Sequence, residues 1–186
     1  MTQGDDEPTV LTRLRAGRDL TATLEYFDSL PPVRAEEMLG RWRGSGLETG
    51  HPMDGLLERY GWYGKRFETP ENVHPLVFTR GDGGLVSINP SLLPLGLLLR
   101  FPRLGHLPVA AKVFAILRQL LTTTRPKARL RMTEYRGVVS ATMCYDTKPI
   151  HDVFRRIDEN TVIGAMDLRG STRPFMFVLT RDVARR

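Results

Sequence analysis

Apolar side chains recur first at helical spacing and then change period. Leu20, Leu24 and Phe27 lie three or four positions apart within 11–41, which predicts an N-terminal helix with Thr21 or Thr23 as its N-cap. Pro31 and Pro32 separate it from a short second helix around 34–39. From Gly40 onward, short aromatic and β-branched segments are punctuated by Gly, Pro and Asp, the pattern of strands joined by tight turns. Eight strands are expected, over 42–47, 60–67, 73–79, 85–88, 128–135, 138–145, 161–168 and 175–180. In 138–145, Val139, Ala141, Met143 and Tyr145 alternate with Ser140, Thr142 and Cys144, so one face is core and the other less apolar. Gly81-Asp82-Gly83-Gly84, Gly137 and 158–160 mark turns and make the strands a meander. Over 148–156, Pro149 at a first helical position, with Ile150, Val153 and Phe154 on one side, predicts a short helix over one end of the sheet.

Eight antiparallel strands can close on themselves, and a barrel of that size is either filled by side chains or holds one small ligand. The expected fold class is therefore mainly β. It is a small antiparallel β-barrel of about eight strands, with an N-terminal helix and an inserted amphipathic helical segment; an open sheet or two small half-barrels would satisfy the same strand count. The chain divides into an N-terminal tail and helices (1–38), a first half of the barrel (39–90), an insertion (91–127) and a second half (128–186).

The insertion is too long for an ordinary loop. Its stretch 108–121 opens on Pro108 and carries Val109, Val113, Phe114, Ile116, Leu117, Leu120 and Leu121 on a broad apolar stripe, with Lys112 and Gln119 opposite. Charge sharpens this picture. The net charge is +6, but no acidic residue lies between Asp82 and Glu134, where eight cations fall, leaving the remainder at −2. A basic, acid-free, leucine-rich segment suits an anionic membrane surface, with cations worth about 1 kcal/mol each near lipid phosphates. Arg100, Arg103, Lys112, Phe114 and Arg118 are the expected contacts. The same stripe equally describes a cap packed on the barrel, a homodimer contact, or a module that recruits another protein. Nucleic acid is disfavoured, because the cations are interleaved with leucines and belong neither to a reading helix nor to an aromatic platform.

The N-terminus MTQGDDEPTV lacks the basic and apolar regions of a secretory signal. The apolar stretch 92–99, broken by Pro94 and Gly96, is far short of the roughly 20 residues of a membrane span. Cytoplasmic residence, with peripheral contact at the inner membrane face, is expected. The single cysteine, Cys144, excludes an internal disulfide and a cysteine-rich zinc site.

The motif Gly40-Arg41-Trp42-Arg43-Gly44, continuing as SGLETGHPMDGLLERYGWYGKRF, resembles the signature of the GXWXG domain of bacterial proteins. The run from KARLRMTEYRGVVSATMCYD to PFMFVLTR resembles the domain of unknown function that usually follows it. That resemblance implies a fold and carries no reaction. A Gly-X-Trp at the start of a first strand is also similar to lipocalin-like barrels, which implies that Trp42 plugs one end. The spacing Gly40, Trp42, Gly44, Gly46 is similar to nitrobindin-like haem barrels, which implies haem as an alternative cofactor if His51, His74, His106 or His151 faces an apolar pocket. Otherwise neither cofactor nor metal is expected.

His51 and Asp54 form either an acid/base pair or a hydrogen bond that fixes a loop. Trp62, Tyr63, Lys65 and Arg66 either line a pocket mouth or divide into a core Trp62 and a solvated pair of cations. No serine elbow, phosphate loop or dinucleotide motif appears, and no catalytic residue is assigned. The expectation is non-enzymatic binding of a lipid or other hydrophobic ligand, with Trp42, His51, Trp62, Tyr63, Tyr145, Phe175 and Phe177 as contacts. The alternatives are a haem or small-molecule enzyme barrel using the His51 region, and an interaction module built on the apolar helix.

Overall fold

The computed structural model describes residues 7–183. Helices α1 (Glu7–Gly17) and α2 (Leu20–Ser29) lead through a 3-10 turn (Ala35–Met38) into β1 (Gly40–Gly46). After α3 (Leu56–Arg59) come β2 (Trp62–Thr69), β3 (Asn72–Thr79) and β4 (Leu85–Ser87). The insertion holds α4 (Leu95–Arg100), α5 (Pro102–Gly105) and α6 (Pro108–Leu121). The chain then completes the sheet with β5 (Ala128–Tyr135), β6 (Val138–Tyr145), β7 (Ile150–Asp158), β8 (Thr161–Leu168) and β9 (Phe175–Arg181).

All pairings are antiparallel, in the order β2-β1-β9-β8-β7-β6-β5-β3-β4, and β2 also pairs β3. Eight strands thus close into a barrel, and β4 hangs on β3 outside the ring. The ring is thinnest between β3 and β5, where Val73 opposite Ala128 is the one register pair. That seam is where the chain leaves and re-enters the barrel. The insertion's two ends are tied together there by Asn89 N–H to Leu121 O (2.9 Å) and Thr123 N–H to Ser87 O (2.9 Å).

Two apolar cores lie on opposite sides of one wall. Inside the barrel, Trp42, Phe67, Phe154, Phe175 and Phe177 are among the buried residues. Outside, α2 lays Phe27 against Val153, Ile157, Ile163, Met176 and Val178 of β7, β8 and β9. Those three strands are therefore buried on both faces.

Double burial accounts for one correction. The helix expected over 148–156 is strand β7, paired with β8 from Ile150–Leu168 to Arg156–Val162. Ile150, Asp152 and Phe154 face the inner core, while Val153, Arg155 and Ile157 face α2. A strand buried on both sides loses the apolar/polar alternation that would have revealed it. A second correction concerns the cap of α2, which is Asp19 rather than Thr21 or Thr23. Asp19 Oδ1 accepts from Thr21 N (2.8 Å), and the Thr23 hydroxyl donates back to Asp19 O (2.6 Å). No helix among the described residues is long and apolar enough to cross a membrane.

Candidate functional site

Alternation along β1 sends Trp42, Gly44 and Gly46 to one side, toward the inner core. Trp42 is 1% exposed, its indole N–H donates to Met38 O (2.7 Å), and the Arg181 guanidinium lies 4.3 Å from its ring. Arg181 in turn donates to Leu39 O (2.8 Å) and Glu37 O (2.6 Å), which fastens the lead-in segment across this end of the barrel. Gly44 has a different task. A Cβ there would sit 2.2 Å from the Trp62 ring, so its missing side chain is the space that ring occupies.

Gly64 sets the chemistry of the interior. Its φ of +148° and the 2.0 Å between its ideal Cβ and Trp42 O admit only glycine. The β2–β3 register shifts on both sides of it. This bulge breaks the simple alternation, so Trp62 and Lys65, three positions apart, both face inward.

Beyond Trp62 lies a cavity of about 360 Å³, partly open to solvent. Its barrel wall includes Trp62, Tyr145, Met166, Phe175 and Phe177. Its roof comes from the insertion, through Leu95, Leu98, Ala110, Val113, Phe114 and Leu117. Phe114 seats α6 with its ring 5.0 Å from that of Tyr60 and 5.4 Å from that of Phe78. The Tyr60 hydroxyl donates to Gly105 O (3.0 Å), tying α5 to the same rim.

One ion pair stands in these apolar surroundings. Lys65 Nζ lies 2.7 Å from Asp152 Oδ2, with side chains 3% and 1% exposed. The ammonium also donates to Pro75 O (3.2 Å) and faces the rings of Phe177 (5.0 Å), Trp62 (5.7 Å) and Tyr145 (5.9 Å). Burial raises the Asp152 carboxyl above its ordinary range, and Lys65 pulls it part of the way back. Burial, and then the Asp152 charge, push the half-buried Tyr145 hydroxyl well above its own. Asp152 Oδ1 and Trp62 Nε1 are both buried without a hydrogen-bond partner.

Residues 25–83 match a family model described as GXWXG protein, and residues 126–181 match a domain of unknown function (DUF4334). A crystal structure of a protein from Thermomonospora curvata is 32% identical, with the match covering 96% of this chain and 100% of that one at a TM-score of 0.68. The chain belongs to the GXWXG family. No curated protein matches it. In GXWXG terms, the named motif supplies the plug Trp42 and the gap at Gly44 into which Trp62 fits. The first matched region ends before β4 and the second begins just before β5, so the cavity's helical roof lies between the two matches.

Of the contacts expected from the GXWXG sequence, Trp62, Tyr145, Phe175 and Phe177 converge on the cavity. Trp42 and His51 lie behind its wall. Tyr63 points away, its hydroxyl bonded to Asp182 and its ring under Arg43 at 5.3 Å. Phe114, expected at a membrane, packs inward as part of the roof, whereas Arg100, Arg103 and Lys112 are exposed. Arg118 donates to Thr79 O (2.6 Å) and so helps hold α6 down. Lys65 is buried, which removes the reading that places it on a solvated face. Arg66 does not line the cavity.

The His51–Asp54 pair fixes a loop. Asp54 Oδ2 accepts from the backbone N–H groups of Thr49 (2.8 Å), Gly50 (2.8 Å) and His51 (2.9 Å), while His51 Nδ1 accepts from Met53 N (3.2 Å). Haem does not fit the donor set the expectation required, because no histidine lines the cavity. His51 packs behind Phe175 (5.6 Å), His74 is buried 3.6 Å from Glu68, His106 is half-buried and His151 is exposed.

Burial, reinforced by the Arg173 charge, lowers the His51 imidazole from 6.5 to about 4. Between those values the unfolded chain binds a proton that the folded chain refuses, so stability falls as pH falls. Urea denaturation should show a loss of about 3 kcal/mol across that window, since each pKa unit is worth about 1.4 kcal/mol. His51→Asn, which keeps an acceptor for Met53 N and cannot titrate, should flatten most of this slope. An equal slope in the variant would assign it to other groups.

Proposed function

We propose that this protein binds a single-chain lipid or a similarly sized apolar molecule inside the barrel, without catalysing a reaction. The observation that carries this reading is the cavity of about 360 Å³, walled by aromatic and aliphatic side chains and roofed by a separate helical segment. Ligand sites of this kind run from about 300 to 1,000 Å³, mostly apolar with a few placed polar groups. The lower end of that range fits one acyl chain or a small ring system, and a two-chain phospholipid is too large for it.

The roof is the ligand's route. Its ends are pinned at the thin β3–β5 seam, so α4, α5 and α6 can lift as a flap without breaking the ring of eight strands. The roof's outer face supports contact with an anionic membrane. Among the described residues, seven exposed large apolar side chains within 97–120 do not line the cavity, with Ile116 and Leu120 at 76% and 77% exposure. Monomers in water seldom leave so large an apolar patch uncovered. Arg100, Arg103 and Lys112 are exposed on the same segment, which contains no acidic residue. Negative lipid headgroups are the complement of that face, and docking there brings the roof of the cavity to the bilayer.

Native mass spectrometry of gently purified protein tests the binding. The expected result is an adduct of one small apolar molecule per chain that is lost when the protein is unfolded. Protein that carries no adduct and takes up no long-chain compound on incubation would contradict it.

A further inference from the structure

We infer that the ligand is a single-chain amphiphile with one anionic head, a carboxylate or a phosphate, held by Lys148 at the mouth of the cavity. This rests on the proposed binding cavity and adds the charge and position of the ligand's polar end.

The exposed residues of the lining mark where the cavity meets solvent. They are Leu92 and Pro94, just before α4, and Val113 and Leu117, about one turn apart on α6. Lys148 stands at this lip. It lies in the turn between β6 and β7, lines the cavity and is half-buried. Its Nζ donates to Leu93 O (3.2 Å), between the two exposed residues of the first segment. A bond between the Ser91 and Thr147 hydroxyls (2.6 Å) joins the same two stretches of chain. A backbone carbonyl thus anchors the ammonium at the rim, and hydrogens for two further bonds remain on it.

The charges that line the cavity do not cancel. They are Lys65, Asp152 and Lys148, two cations and one anion, a sum of +1. Lys65 and Asp152 neutralise each other at 2.7 Å, and both are buried. Lys148 has no carboxylate partner among the described residues. Asp146, two positions away, is engaged by Arg129 (3.2 Å), and the insertion that forms the other side of the mouth contains no acidic residue.

An anionic head at the lip supplies the missing charge while its chain occupies the apolar interior. Deeper in, the same head would lose its water and meet the Asp152 carboxylate. A cationic head finds no anion at the mouth. A neutral head gains there only one charged partner, whereas an ionised donor and an ionised acceptor together make the strongest class of hydrogen bond.

Competition for the cavity tests the inference, using the neutral fluorophore N-phenyl-naphthylamine on the full chain at neutral pH. Decanoate, decyl phosphate, decanol and decylammonium share one chain length and differ in the head presented to Lys148. At least one of the two anions should displace the fluorophore at a concentration roughly tenfold below decanol, and the tighter anion identifies the head as carboxylate or phosphate. Lys148→Met, which keeps the apolar stem, should erase that preference while decanol competes as before, and Lys148→Arg should retain it. Equal competition by decanol and both anions in the unaltered protein, or tightest competition by decylammonium, overturns the anionic head and leaves the cavity reading intact. Equal weakening of all four competitors in Lys148→Met would mean that Lys148 only seats Leu93, and also overturns it. A fluorophore that does not bind the unaltered protein overturns the cavity reading and this inference together.

Discussion

Lys65→Met should destabilise the protein by about 3–5 kcal/mol, and adding Asp152→Leu should restore most of the loss. The single substitution leaves the Asp152 carboxyl, 1% exposed, to keep its charge among aromatic rings or to take up a proton. Either course is expensive, because its ordinary ionised state depends on the ammonium 2.7 Å away. The double substitution removes both desolvated charges and fills part of their volume with apolar atoms. Replacing a whole buried pair in this way is often neutral or better. Urea denaturation of the four proteins in the cycle reads the coupling directly. A loss below about 1 kcal/mol for Lys65→Met alone would mean that water reaches the pair, contrary to an enclosed apolar interior.

Reversing Arg100, Arg103 and Lys112 to Glu should abolish attachment to anionic vesicles while leaving the unfolding midpoint nearly unchanged. All three side chains are exposed. Arg118 is left out because its bond to Thr79 O, at 2.6 Å, holds α6 to the barrel. With about 1 kcal/mol per cation near an anionic surface, three reversals cost more than about 3 kcal/mol, over a hundredfold in binding. The unaltered protein should sediment with vesicles of mixed phosphatidylglycerol and phosphatidylcholine and much less with phosphatidylcholine alone, and salt should weaken the attachment. Ile116→Ser with Leu120→Ser should weaken it as well. Equal sedimentation with both vesicles, or with neither, would contradict membrane contact. If gel filtration then shows a dimer that the serine substitutions dissociate, a second copy of the chain covers this face.

The barrel was legible in the sequence wherever one strand face is dry and the other wet. Strands β5 and β6 fall where alternation and turn residues put them, over 128–135 and 138–145, whereas β8, buried on both faces, was read over 161–168 as a short apolar run between turns. Strand β7 was not, because α2 covers its outer face and the interior takes Asp152, so IHDVFRRID shows neither alternation nor a continuous apolar run. The same misreading hid Asp152 from the candidate site. Lys65 was visible as a candidate, but its direction depends on the Gly64 bulge, which shows in sequence only as one more glycine in YGWYGKRF. Aromatic spacing sufficed for Trp62, Phe175 and Phe177. It could not separate them from Tyr63, whose hydroxyl found Asp182, 119 positions away. For α6, the stripe predicted the helix correctly but not its division of labour. Phe114 turns in to the roof, while Ile116 and Leu120 stay out in solvent.

The space beneath the insertion is proposed as a binding cavity. Titration of N-phenyl-naphthylamine into the unaltered protein and into Ala110→Trp tests it most directly. Ala110 lines the roof on α6 and is half-buried, so an indole there enters the cavity without displacing barrel core. Saturable binding at one site is expected in the unaltered protein. The variant should lose at least about tenfold in affinity, with an unfolding midpoint equal or higher, because filled space adds packing. Identical binding by both proteins would place the probe outside the barrel and contradict the claim.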